Sequence, residues 1–163
     1  RGRARQMNAG AAAATGDALL FLHADTRLPP AADQLIFDSL KKTLWGRFDV
    51  RIESVRPLLR VVAFAMNQRS RLTGIATGDQ AIFVRRAAFA GFPEIALMED
   101  IAFSKAMKRR AAPAILHEKV TTSGRRWERQ GVLRTMVLMW RLRLAFFFGA
   151  EPDELARRYA DRT

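Results

Sequence analysis

Two short acidic segments carry the side chains best suited to chemistry in this sequence of 163 residues. The first, His23-Ala24-Asp25-Thr26, ends the apolar run Ala18-Leu19-Leu20-Phe21-Leu22. An uninterrupted apolar run is how a buried parallel strand reads, and ligands of open α/β sheets collect beyond the carboxyl ends of such strands. Asp25 therefore stands where a substrate would be met, with a solvated Asp-Thr turn as the plainer alternative. The second segment, Met98-Glu99-Asp100, opens a helical pattern and favours a functional reading of both. A carboxylate at a helix start is also a good N-terminal cap, so capping stands beside chemistry for Glu99 and Asp100.

Composition narrows the chemistry further. There is no cysteine, which excludes disulfides and thiolate-bound zinc and suits a reducing cytoplasm. With only two histidines, His23 and His117, a multi-histidine metal site is not expected, and any metal would be held by carboxylates. Lys and Arg number 28 against 16 Asp and Glu, a net charge of +12 that attracts phosphorylated substrates, polyanions or anionic membranes. Lysine occurs only at 41, 42, 105, 108 and 119, so most of the charge is Arg, which suits bidentate phosphate contacts but mostly covers solvated faces.

The elements that must position these residues alternate between helix and strand. Gln6 to Ala14 is rich in alanine and predicts a helix that Gly16 ends. Ala18 to Leu22 follows as a strand, and Pro29-Pro30 opens a helix whose apolar face is Leu35, Ile36 and Leu40. Polar and apolar residues alternate over Arg47-Phe48-Asp49-Val50-Arg51-Ile52, the pattern of a strand buried on one face only. Pro57 allows a helix from Leu58 to about Arg71. The loop Thr77-Gly78-Asp79-Gln80 leads into a short strand at 81–84; a helix over Asp100 to Arg110 and a strand over Ile115 to Val120 come next.

From Val132 to Ala150 the chain is strongly apolar, yet Arg134, Arg141 and Arg143 argue against a membrane span. Arg134 and Arg141 share a helix face. Packing on the sheet or on a second copy of the chain is the expected role, and an interfacial helix on anionic lipid is the alternative. With 49% hydrophobic residues and no linker, 1–163 reads as one α/β domain, with 132–163 as its C-terminal helical segment.

Taken together, several motifs resemble family 2 glycosyltransferases, most of all their small bacterial branch associated with radical-SAM or selenodomain proteins and arsenosugar biosynthesis. They are Arg3-Ala4-Arg5-Gln6-Met7-Asn8-Ala9-Gly10, Gly16-Asp17, Phe21-Leu22-His23-Ala24-Asp25-Thr26, Gly78-Asp79-Gln80, Gly91-Phe92-Pro93-Glu94, Met98-Glu99-Asp100 and Ser123-Gly124-Arg125-Arg126-Trp127. Each is weak alone; their order and spacing are fairly specific and cover nearly the whole chain.

The resemblance implies a GT-A-like, Rossmann-like mixed sheet flanked by helices, a nucleotide-sugar donor, a hydroxyl acceptor and inversion at the anomeric carbon. It places Asp25 as ligand of a divalent metal, Mg²⁺ or Mn²⁺, on the donor diphosphate, with His23 where the family usually has the first Asp of Asp-x-Asp. It makes Asp100 the general base and Glu99 its structural or orienting neighbour. Arg5, Asn8, Gly78, Asp79, Arg126 and Trp127 join the donor and substrate contacts by the same likeness; Ser123 stands where Gln or Arg is often found. Family members begin with nucleoside-binding strands carrying Pro-x-x-Asn-Glu and an Asp-rich loop, which do not precede Arg1. The sequence, which opens Arg1-Gly2-Arg3 without Met or a signal-peptide pattern, is therefore expected to be the C-terminal two-thirds of such an enzyme.

The expected partners are the nucleotide sugar and its acceptor, with no nucleic acid, since no nucleic-acid-binding motif is present and the aromatics lie in apolar periodic segments. Contact with a membrane periphery or a homodimer through 132–150 is the further partner expectation. The location is cytoplasmic, at the inner membrane face if the helix binds lipid. The competing classes are a nonenzymatic binder of polyanions or anionic membranes and a metal-dependent nucleotidyltransferase.

Overall fold

Residues 2–160, described by a computed structural model, form seven α-helices around a five-stranded mixed sheet. The strands are β1 (Ala18–Phe21), β2 (Thr26–Arg27), β3 (Trp45–Glu53), β4 (Ile82–Arg85) and β5 (Ala114–Ser123), in the spatial order β1-β4-β3-β5-β2. Only β3 and β5 run parallel; β1 with β4, β3 with β4 and β2 with β5 are antiparallel. The apolar run at 18–22 is thus not a central parallel strand. Among the described residues β1 has β4 as its one neighbour, and Leu22 at its end is exposed. Continuous apolar sequence reports burial of a strand's faces, not the direction of its neighbours.

The helices are α1 (Arg3–Ala13), α2 (Ala32–Leu40), α3 (Leu58–Thr73), α4 (Glu99–Lys108), α5 (Arg125–Gln130), α6 (Val132–Phe147) and α7 (Pro152–Ala160). Local chemistry explains their ends. Pro57 is preset for the start of α3, and Gly74, at φ 66°, supplies the left-handed residue that stops it. Two layers cover the sheet. On one face Ile36 and Leu40 of α2 and Leu59, Val62 and Met66 of α3 pack on Phe48, Val50, Ile52 and Phe83. On the other, Ala4 and Ala11 of α1 and Phe103 and Met107 of α4 pack on Leu19, Trp45, Ile82 and Val84. Opposite alternation along β4 sends Phe83 to one core and Ile82 and Val84 to the other.

β3 departs from its expected one-sided burial: residues 45–50 are buried throughout. The polar members turn inward because they neutralise one another. Asp49, 1% exposed, is paired with Arg47, 1% exposed, and with Arg71 of α3. Beyond Gly46 the edge of β3 facing away from β5 has no strand beside it among the described residues, and Asn67 of α3 takes that place. Its amide accepts from Val50 N at 2.9 Å and donates to Val50 O at 3.0 Å, satisfying both backbone groups as a ladder would.

Helix α6 meets its packing expectation on one face only. Val132, Thr135, Leu138 and Leu142 are buried, the last two against Met98, Ile101 and Leu155. Leu133, Val137, Trp140, Leu144 and Phe147 are all exposed. No helix among the described residues is long and apolar enough to cross a membrane.

Candidate functional site

Strand pairing assembles the site. Because β1 and β4 are antiparallel, Phe21 lies opposite Ile82, and the residues after β1 meet the turn that precedes β4. His23 Nδ1 thereby comes 3.4 Å from Asp79 Oδ1. The 3₁₀ turn Gly78–Gln80 that carries Asp79 is held by the Gln80 amide, whose Oε1 accepts from Thr77 N at 3.2 Å. Burial pushes the Asp79 carboxyl up, but the hydrogen bond and charge of His23, aided by Arg3 and Arg143, prevail and hold it below its ordinary 3.8.

The same turn grips the start of α4. Asp100 Oδ2 accepts from Gly78 N at 2.8 Å and Oδ1 from Ile101 N at 2.8 Å, so both oxygens are aimed by backbone donors. Ser104, one turn further on, exchanges hydrogen bonds of 3.2 Å with the backbone of Ala76. Met98, which precedes this helix, adopts φ 71°, and Ala81, after the Asp79 turn, adopts φ 47°. Left-handed geometry at a non-glycine residue costs about 1 kcal/mol or more, and here it is imposed at both turns that deliver carboxylates. Glu99 lines the deeper cavity too, but its carboxylate is turned to α1. Its side chain is buried, 2.9 Å from Arg3 Nε, and burial raises its pKa above 4.5 in spite of Arg3, with Asp100 adding to the rise. Glu99 therefore ties α4 to α1.

Asp25 arrives by a different pairing. The two residues after it form β2, which lies antiparallel on the end of β5 with Thr26 opposite Thr122, and their hydroxyls are 3.1 Å apart in a buried contact. The chain leaving β5 turns at Gly124, where a Cβ would stand 2.7 Å from Glu53 O, and delivers Arg126 and Trp127 beside Asp25. Arg126 lies over the Tyr159 ring at 4.7 Å, and burial, partly offset by Asp79, lowers its pKa. Asp25 itself is exposed, and its carboxylate has no partner among the described residues.

Two cavities meet here. One, of about 910 Å³, runs along α1 and β1; the other, of about 450 Å³, lies between α3, α4 and α6. Arg3, His23, Asp25, Gly78, Asp100 and Arg126 line both. Trp127 and Asp79 line the deeper one alone. Arg5 and Asn8 line neither: Arg5 Nε bonds Glu94 Oε2 at 2.9 Å, and the Asn8 amide bonds Phe92 N at 2.8 Å and Phe92 O at 2.9 Å. They fasten α1 to the turn at 91–94, which supports the wall from behind.

No group of three His, Asp or Glu side chains converges as a ready metal site among the described residues. Asp25, unpartnered and open to both cavities, suits a cation whose other ligands are substrate oxygens. Sequence reasoning missed Arg3, Arg69 and Arg143 as cavity residues. Arg143 had a signal, a charge within an apolar helix, but it served only as evidence against a span. Among known proteins, no family model, no curated protein and no solved structure matches the chain.

Proposed function

We propose that this chain carries the transfer site of an inverting, metal-assisted glycosyltransferase of the GT-A type. What supports the reading is that one carboxylate with aimed oxygens, Asp100, and one free carboxylate, Asp25, both stand where two adjoining cavities meet. That arrangement suits a two-substrate displacement, with the donor along α1 and β1 and the acceptor in the deeper cavity.

Asp100 takes the proton of the acceptor hydroxyl as its oxygen bonds to the anomeric carbon, and the bond from that carbon to the diphosphate breaks with its electron pair leaving on the diphosphate. Gly78 N and Ile101 N fix the base for this task, and a positioned base of this kind contributes about 10²- to 10⁴-fold. Asp25 would hold Mg²⁺ or Mn²⁺, which when bound neutralises charge on the departing diphosphate. Arg126 adds a second positive group on the same side. His23, held against Asp79, shapes the wall between the cavities.

The test is calorimetric titration of the protein with nucleoside diphosphates and Mn²⁺. Asp25→Asn should abolish the Mn²⁺-dependent part of binding, while Asp100→Asn should retain it and lose about 10²-fold or more in transfer. Equal affinity of wild type and Asp25→Asn would remove the metal role. Release of pyrophosphate from an added nucleoside triphosphate, with its nucleotidyl group attached to the acceptor, would point instead to nucleotidyl transfer.

The exposed stripe on α6 favours a second reading, peripheral attachment to an anionic lipid surface on the cytoplasmic side. Leu133, Val137, Trp140, Leu144 and Phe147 recur at i, i+4, i+7, i+11 and i+14 and are exposed, with exposed Arg134 and Arg141 beside them. An apolar ridge flanked by cations, on a chain of net charge +12, complements anionic headgroups over acyl chains.

A further inference from the structure

Arg69 on α3 and Arg143 on α6 line the deeper cavity and not the one along β1. Nε and Nη2 of Arg69 and Nε of Arg143 are shielded from solvent without a hydrogen-bond partner, and neither residue forms an ion pair among the described residues. Burial and the like charge of Arg143 push Arg69 down to about 10. Burial also lowers Arg143, against the pull of Asp100 and Asp79. Shielded guanidinium donors left unpaired are costly, and two of them facing one space are costlier still. The carboxylate of Asp100 acts on them only as a charge at a distance, since no hydrogen bond or ion pair among the described residues joins it to either arginine. A group that would repay the arrangement must be an oxyanion with several acceptor atoms, matched to two planar forks. Around the arginines the wall is apolar, formed by Val62, Met66, Met136 and Met139.

We infer that Arg69 and Arg143 form an oxyanion subsite that holds a phosphate or carboxylate of the acceptor while the acceptor's apolar body lies along the Met66 and Met139 wall. The inference rests on the assignment of the deeper cavity to the acceptor. It makes the acceptor an amphipathic anion and gives a role to Arg143, which is drawn into the cavity while Arg134 and Arg141 of the same helix stay exposed. The oxyanion fixes the distance from the grip to Asp100, so the hydroxyl that reacts is selected by its separation from the charged end.

Hexyl phosphate, hexanoate and hexanol serve as probes in titrations of the full chain without metal. Hexyl phosphate or hexanoate should bind at least ten-fold more tightly than hexanol, and the stronger of the two names the oxyanion. Arg69→Gln and Arg143→Gln should each weaken the anion about 10- to 100-fold and leave hexanol unchanged. Arg69→Lys with Arg143→Lys should restore part of the loss, because charge returns without the fork. Because these titrations contain neither metal nor nucleotide, their outcome is read apart from any failure of the metal and donor reading. Equal binding of all three probes would overturn the subsite. So would a fall in melting temperature of both Gln variants with unchanged anion affinity, which would make the arginines structural counter-charges of Asp100.

Discussion

Gly78 is where the smallest perturbation should have the clearest consequence. A Cβ there would lie 2.6 Å from His23 Nε2, 3.1 Å from His23 Cε1 and 3.0 Å from Arg3 Nη2. In Gly78→Ala the imidazole must retreat by about 0.8 Å to reach an ordinary contact, since a steep repulsive wall separates the two distances. Its contact with Asp79 is already 3.4 Å, so that retreat breaks it. Without the hydrogen bond and charge of His23, the carboxyl that they hold below 3.8 should titrate higher. A depressed carboxyl contributes stability that is present above its unfolded pKa and lost as pH falls through its folded one. The variant should therefore lose less stability than wild type on acidification below pH 3.8. The clash falls on the end of a partly exposed side chain, so the cost at neutral pH should be about 1 kcal/mol. Gly46→Ala provides the contrast: its Cβ would meet Phe83 Cζ at 2.5 Å and the backbone oxygen of Ala114 at 2.6 Å, inside a packed sheet. That variant should lose about 3 kcal/mol or more. Carboxyl-detected NMR against pH, with thermal unfolding of both variants, measures these effects. An unchanged Asp79 midpoint in Gly78→Ala, or a loss of stability equal to that of Gly46→Ala, would refute the reasoning.

Asp49→Ala should destabilise the fold by about 3–5 kcal/mol in denaturant unfolding, because Arg47 would remain buried without its counter-charge. Glu99→Gln should gain stability relative to wild type as pH rises above 4.5 through the raised native pKa, by about 1.4 kcal/mol per unit of that rise; parallel pH–stability curves would show that burial does not govern Glu99. On α6, Phe147→Asp should leave the melting temperature nearly unchanged, since Phe147 is 70% exposed, yet abolish co-sedimentation with anionic vesicles, as should Arg134→Glu with Arg141→Glu. Vesicle binding that ignores these changes, or a dimer that they dissociate, would assign the stripe to another surface.

The sequence by itself determined most element types and the position of their breaks. Alanine content, Pro57 and the apolar spacing of α2 and α3 act through neighbours in the chain, and α1, α2, α3, α4 and α6 formed within a few residues of expectation, while α5 was not foreseen. It also singled out Asp25 and Asp100, because an acidic turn after an apolar strand and carboxylates at a helix start are local patterns, whereas Asp79 came only with the family resemblance. Only the tertiary structure decided that β1 runs antiparallel to β4, which is what carries His23 to Asp79. It alone decided that Arg47 and Asp49 face inward, since alternation cannot reveal that two charges satisfy each other. Arg5 and Asn8 were legible as polar residues near a motif, but the contacts that draw them to Glu94 and Phe92 lie more than 80 positions away. Arg69 and Arg143 stand 74 positions apart and acquire meaning only when α3 and α6 close one cavity around both. Local propensity is encoded by adjacent residues, whereas charge pairing, orphaned donors and shared cavities depend on which distant segments the folded chain brings together.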